Sequence, residues 1–250
     1  MLELLYIPKY KGEKQLFKIG QVVSLVFEEL CNRTLKFPFG IIMSPGYLST
    51  TQNTIHEYVN KFLKVVNHQN KFRQMYAGLF VGMNGGINVN KQSNTILDQH
   101  LCEFKSKQIN QLMFKSKPKN KDHRKMIFFF VFKSDPKVFL PSTITKTDIH
   151  SFTENISVEY MLVGSSNQSN NTYYSSTASH GEADILFFNN SDFEEMVKKE
   201  DLLIHDDNYL SGCVLSKVHE ERSSLHPNFR FDSMNYLNAV LRDFLINNLL

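Results

Sequence analysis

Two short polar motifs in this 250-residue sequence, H-x-K and G-S-x-N, each stand beside an apolar run. The first motif contains His123 and Lys125 and leads into the apolar run 126–132. The second follows the run 158–163 and consists of Gly164, Ser165 and Asn167. An imidazole can act as nucleophile or general acid, and ammonium, amide and hydroxyl groups can stabilise phosphate oxygens. These residue types therefore suit cleavage of a phosphodiester bond.

Each of these side chains has its own task in phosphoryl transfer, which needs an in-line nucleophile and charge stabilisation around the phosphate. His123 is the candidate nucleophile, because an imidazole whose second nitrogen is held by a carboxylate is oriented and made more basic. Lys125 lies two residues along an extended strand, so it projects to the same side as His123. Asn167 and Ser165 add amide and hydroxyl donors, and Gly164 lets the backbone come close.

The carboxylate that would hold the histidine has three candidates. Glu182, on the strand-like segment that follows G-S-x-N, is the first candidate. Asp184 lies two residues later on the same face of that strand, and Glu159 lies on the neighbouring strand-like run. The sequence leaves the choice among the three acids open.

With these residues the sequence resembles the phospholipase D superfamily, and within it the single-motif nucleases and metal-independent restriction endonucleases. The resemblance rests on H-x-K, G-S-x-N and Glu182, and it covers roughly residues 20–190. In a chain of this composition the expected number of chance occurrences is about 1 for H-x-K and about 0.1 for G-S-x-N, so the second motif is the more specific. The resemblance implies an α/β fold with a mixed sheet flanked by helices. It also implies a phosphohistidine intermediate and no cofactor or metal ion.

The chain contains one H-x-K motif, whereas the mechanism implied by the resemblance uses two histidines. A symmetric homodimer with a shared active site is therefore implied, in which one His123 attacks phosphorus and its mate protonates the leaving oxygen. We expect the substrate to be nucleic acid, with DNA favoured over RNA. An intracellular nuclease must be restrained, so we also expect a regulatory partner or trigger, in a setting of restriction or antiviral defence.

A basic run leads into the H-x-K motif. Between residues 105 and 125 eight residues are basic and one, Asp122, is acidic. Such a run either forms a solvent-exposed surface or binds the phosphates of a nucleic acid. In the second case its lysines are substrate-binding residues. Those residues are Lys115, Lys117, Lys119 and Lys121. The net charge of +3 is too small to indicate nucleic acid without such a local cluster.

Alternating strand-like runs and helical patterns predict an α/β protein. Strands are expected at 39–43, 74–83, 126–132, 158–163 and 183–188. Helices are expected over about 53–66, 95–114 and 232–250. The first two strands and their helix form a β-α-β unit, which predicts a parallel pair. We expect a loop or hairpin at 134–155, a phospholipase D-like domain at 1–190, and a C-terminal helical extension at 191–250 that packs on it or forms a dimer face.

Composition argues against several other classes. Three cysteines without a CxxC pair predict reduced thiols in a cytoplasmic protein rather than a disulfide framework or zinc knuckle. The nine histidines include no H-E-x-x-H pattern and predict no metal site. No apolar run approaches 18 residues, and the first residues lack a basic region, so we expect no transmembrane helix, no signal peptide and no membrane partner.

Three alternative functions stay open. The same fold could act on a phospholipid, although lipid enzymes of the resembled family generally carry both motifs in a longer chain. A magnesium-dependent nuclease would use Glu103 and Lys105 as an E-x-K pair, but Asp98 is too close and the segment has helical spacing. The chain could also bind nucleic acid or a partner protein without catalysis.

Overall fold

The computed structural model describes residues 2–9, 18–33, 35–44, 60–61, 75–80, 98–99, 101–116, 125–165, 182–200, 202–203, 212–217 and 233–250. Its strands are β1 (Glu3–Lys9), β2 (Phe39–Ser44), β3 (Met75–Leu79), β4 (Asn110–Leu112), β5 (Lys125–Phe132), β6 (Ile156–Gly164), β7 (Glu182–Phe188) and β8 (Val214–Lys217). Its helices include α1 (Lys18–Asn32), α2 (Pro136–Phe139), α3 (Ile149–Glu154), α4 (Ser191–Lys199) and α5 (Ser233–Asn248). These strands form one sheet in the order β4-β3-β2-β5-β6-β7-β1-β8. The predicted α/β class with a mixed sheet is confirmed.

Strand direction decides which ends meet at each edge of the sheet. β2, β3 and β4 are parallel, which confirms the parallel pair predicted for the β-α-β unit. The helix predicted between β2 and β3 falls mostly outside the described residues, which include helical residues 60–61. β5, β6 and β7 are antiparallel to their neighbours. The start of β5, the end of β6 and the start of β7 therefore lie at one edge.

Apolar side chains cover both faces of the sheet. One face packs against α1 and α4, with Phe27 of α1 in edge-to-face contact with Phe129 of β5. The other face packs against α3 and α5, where Phe128 of β5 meets Phe244 of α5. Strand β5 is thus apolar after Lys125 because its alternate side chains enter two different cores.

The helix predicted over 95–114 ends earlier than expected. Residues 101–106 are helical, and Gln108 then adopts a left-handed φ of 61°. The amides of Gln108 and Ile109 donate to Lys105 and Phe104, the hydrogen-bond pattern that closes a helix with a left-handed residue. The prediction was wrong for 107–114, because Asn110–Leu112 pairs with β3 as a strand instead.

The loop or hairpin predicted at 134–155 is instead helical in part. It contains α2, a 3₁₀ turn at Lys146–Asp148 and α3, and α3 buries Ile149 and Phe152 in the second core. Pro136 stands at the first turn of α2 after an Asp135 cap, a position where proline favours a helix start.

The C-terminal residues 191–250 contribute to both cores. The helix predicted over 232–250 is confirmed as α5, and α4 packs on the opposite face of the sheet. Strand β8 pairs with β1, so this part of the chain also extends the sheet. Among the described helices, none combines the length and apolar character needed to cross a membrane.

Candidate functional site

One row of residues crosses the sheet at the edge where β5 begins and β6 ends. Lys125 pairs with Gly164, Gly164 pairs with Asp184, and Asp184 pairs with Ile7. The alternation of side chains places this row on the face covered by α1 and α4. Residues from both polar motifs are therefore neighbours, because the connection 133–155 lies between the opposite ends of β5 and β6.

Gly164 is required by the close approach of β7. A Cβ built at this position would overlap the Asp184 carboxylate and the Ala183 carbonyl oxygen, and would lie 2.6 Å from Asp184 Cα. The Asp184 carboxylate thus occupies the space above β6 that a side chain at 164 would fill. Asp184 is 2% exposed, so this carboxylate is a buried part of the row.

Ser165 joins the end of β6 to the start of β7 through four hydrogen bonds, the longest of which runs from its hydroxyl to the Ala183 carbonyl at 3.4 Å. Its amide donates to the Ala183 carbonyl at 3.0 Å, and its Oγ accepts from the Ala183 amide at 2.9 Å. Its hydroxyl donates to Glu182 Oε2 at 2.5 Å. The structure therefore brings together four predicted site residues: Lys125, Gly164, Ser165 and Glu182.

Glu159, the third candidate acid, lies away from this row. The β5–β6 register shifts between Phe129 and Phe130, which leaves Glu159 as the bulged residue of β6. Its Oε2 accepts from the Arg33 guanidinium at 3.3 Å. Five residues separate it from Gly164, about 16 Å along a strand. Its contacts belong to a structural network rather than to the edge.

That network joins α1, β6 and the start of α4. Glu29 is buried and accepts two hydrogen bonds from Arg33, at 2.5 and 2.7 Å, and one from the Tyr160 hydroxyl at 2.6 Å. Asn190 donates to the same hydroxyl at 2.9 Å. Burial opposes the charge of Arg33, but the Glu29 carboxylate outweighs it and raises the pKa of Arg33. Burial and Glu29 also raise the pKa of Tyr160, so the tyrosine stays neutral.

The structure describes residues 105–116 of the basic run and its last residue, Lys125. Lys115 is exposed, its amide donates to Ile144 and its carbonyl accepts from the Leu250 amide. These contacts lie beside the core that contains α5, on the face opposite to the row. The structure does not bring Lys115 into the row. The remaining predicted site residues lie outside the described residues: His123, Asn167, Lys117, Lys119 and Lys121.

Asp184 is the site residue that sequence reasoning undervalued. It was an alternative to Glu182, yet it is the acid in register with Gly164. Its alternation with Leu186 and Phe188 was visible in the sequence, but its register was not. The E-x-K alternative fits the structure poorly, because Glu103 and Lys105 lie on the helical segment 101–106, as their spacing indicated.

No protein-family model matches this chain, and no curated protein matches it. A lysine, a hydroxyl and two carboxylates meet at the edge of the sheet where β5 begins, which supplies one cationic group for an anion and two groups that can hold a proton. Within the described ranges, His, Cys, Asp and Glu side chains form no group of three or more suited to a metal ion.

Proposed function

We propose that this chain is a metal-independent phosphodiesterase, a nuclease that cleaves DNA through a phosphohistidine intermediate. The observation that supports it is the pairing of Lys125, from H-x-K, with Gly164, from G-S-x-N. A second support is the pair of carboxylates, Glu182 and Asp184, at the start of the next strand. Lysine and amide groups around one point suit the oxygens of a phosphodiester.

His123 stands two residues before Lys125 and is the proposed nucleophile. A bond forms between its imidazole nitrogen and phosphorus while the bond to the leaving oxygen breaks. His123 of the partner subunit gives that oxygen its proton, and water then hydrolyses the phosphohistidine. Glu182 or Asp184 holds the second imidazole nitrogen, and Lys125 and Asn167 stabilise the phosphate oxygens.

The proposed dimer follows from this chemistry. Each chain supplies one H-x-K motif and the reaction uses two histidines, so the two copies of His123 must reach one phosphate across a two-fold axis. A nuclease of this kind inside a cell needs restraint by a partner or trigger, which fits a role in restriction or antiviral defence.

Cleavage of plasmid DNA in excess EDTA tests the proposal. We expect the wild-type protein to cleave, and His123→Ala to lose cleavage while it stays folded. His150→Ala is the matched control, because His150 is an exposed histidine on α3 whose side-chain contact is with Glu154. Full activity of His123→Ala, or loss of wild-type activity in EDTA, would reject the mechanism. DNA binding without cleavage would indicate a non-catalytic binding protein, and hydrolysis of phospholipid vesicles a lipid phosphodiesterase.

A further inference from the structure

The two carboxylates at the start of β7 have different environments. Asp184 is buried and its carboxylate lies over Gly164 in the row that contains Lys125. Glu182 is half-buried, lies beyond the last residue of β6 and pairs with Lys9 of β1. The two carboxylates therefore lie two residues apart along β7, on the same face of the strand. Two carboxylates in such different places are suited to different tasks.

The Ser165 hydroxyl is fully engaged by its neighbours. A hydroxyl has one proton, and here that proton goes to Glu182 Oε2 at 2.5 Å, the distance of a charge-assisted bond. The Ala183 amide at the same time donates to the serine oxygen at 2.9 Å. Both partners lie on β7, so they fix the orientation of the hydroxyl. Ser165 then has no proton left to donate to a phosphate.

We infer that Glu182 is a positioning residue that acts through Ser165, and that Asp184 supplies the carboxylate of the reacting row. This inference rests on the proposed nuclease function and deepens it. Glu182 and the Ala183 amide hold Ser165 at a fixed point against β7. Asn167, the proposed phosphate ligand, follows two residues later, within about 7 Å of extended chain. A fixed Ser165 therefore limits where the Asn167 amide can stand.

Loss of the hydrogen bond between Ser165 and Glu182 should lower the rate by misplacing Asn167, the proposed phosphate ligand. A shift of about 1 Å at a group that contacts the reacting phosphate can lower the rate about 100-fold. We expect Glu182→Ala to lower kcat about 10-fold to 100-fold, because Ser165 loses the nearer acceptor for its proton and keeps only the Ala183 carbonyl at 3.4 Å. Ser165→Ala removes the same bond from its other end. The double variant should be no slower than the slower single variant, because both changes break one interaction.

The Glu182→Gln variant distinguishes positioning from a direct role with the histidine. The glutamine oxygen still accepts from Ser165, so kcat should recover to within about 3-fold of wild type, because the neutral bond is weaker than the charged one. The pH profile of kcat should keep its wild-type midpoints. Asp184→Asn, by contrast, should shift that profile, since it changes the carboxylate of the row. Glu28→Ala on the exposed face of α1 is the control for loss of a surface carboxylate.

Amide hydrogen exchange at Ala183 provides a readout that does not depend on activity. This amide donates to Ser165 Oγ, so its exchange should accelerate in Ser165→Ala and in Glu182→Ala, and remain slow in Glu182→Gln and Glu28→Ala. Unchanged exchange in Glu182→Ala would overturn the inference. A shifted pH profile in Glu182→Gln, or additive losses in the double variant, would also overturn it.

Failure of the proposed function gives a different pattern. Suppose that Ala183 exchange responds as expected but the wild-type protein cleaves no phosphodiester. The hydrogen bond between Ser165 and Glu182 is then confirmed, whereas the nuclease proposal and the catalytic part of this inference are rejected. If the wild-type protein cleaves and Glu182→Gln is as slow as Glu182→Ala, the nuclease proposal stands and the positioning role is rejected.

Discussion

Replacement of Gly164 by alanine tests the contact on which the candidate site depends. The added methyl group would point into the space held by the Asp184 carboxylate, and it would also meet backbone atoms of β7. A side-chain obstacle can rotate away, but the Ala183 carbonyl and Asp184 Cα are parts of a paired strand. The two strands themselves must therefore separate.

The size of the effect can be worked out from the contact distances. The new Cβ would lie 2.6 Å from Asp184 Cα, about 0.8 Å closer than the 3.4 Å at which ordinary contacts begin. Overpacking of this kind costs about 1–3 kcal/mol. For a chain of this length that corresponds to a fall in Tm of about 2–12 °C. A movement of this size would also displace Asp184 relative to Lys125, so we expect kcat to fall at least 10-fold.

The chain offers a matched control for this substitution. Gly78 of β3 also lacks room for a methyl group, but its obstacle is the Phe114 ring, on the face of the sheet opposite to the row. Gly78→Ala should lower Tm by rearranging a ring that already packs against Phe80, and should leave kcat unchanged.

Thermal unfolding followed by circular dichroism measures Tm, and cleavage of a DNA substrate by the folded variants measures kcat. If Gly164→Ala melts at the wild-type temperature and cleaves at the wild-type rate, the close approach of Gly164 and Asp184 is refuted. If both alanine variants lose the same activity, the row has no special role.

Three further predictions concern the charged network, a buried acid and the proposed dimer. Arg33→Met leaves the buried Glu29 carboxylate without its cation, so chemical denaturation should show a loss of about 3–5 kcal/mol, much of it recovered in Arg33→Met/Glu29→Gln. Burial raises the pKa of Glu3, although the Lys217 ammonium opposes this shift. The protonated Glu3 carboxyl therefore stabilises the folded protein below the unfolded-state pKa, and this stabilisation is lost as the pH rises through the folded-state pKa. Denaturation across pH 4 to 8 should therefore show a decline in wild type that is reduced in Glu3→Gln; equal slopes would contradict the raised pKa. Mixing His123→Ala with wild-type subunits should give inactive heterodimers, and activity proportional to the wild-type fraction would contradict a shared site.

Local sequence pattern was sufficient for the elements with strong periodicity or continuous apolar character. The apolar run of β5 and the helical spacing of α5 predicted both elements nearly to their ends. The same pattern failed at 107–114, where apolar residues at helical spacing enter a parallel strand after the left-handed Gln108. The competing signal there is pairing with β3, which no short window of sequence contains. No prediction covered β1, α1 or β8, whose packing or strand pairing depends on partners far away in the chain.

The candidate site divides in the same way. The sequence by itself determined which residue types could do chemistry, because H-x-K, G-S-x-N and the acids near them are visible as letters. Only the tertiary structure decided which of them meet, since antiparallel register pairs Lys125 with Gly164 and Gly164 with Asp184. The tertiary structure also decided the hydrogen-bond partners of two acids, because Glu159 accepts from Arg33 and Glu182 accepts from Ser165. The physical reason is that register and hydrogen bonding are set by packing across the whole sheet, whereas a motif records only neighbours along the chain.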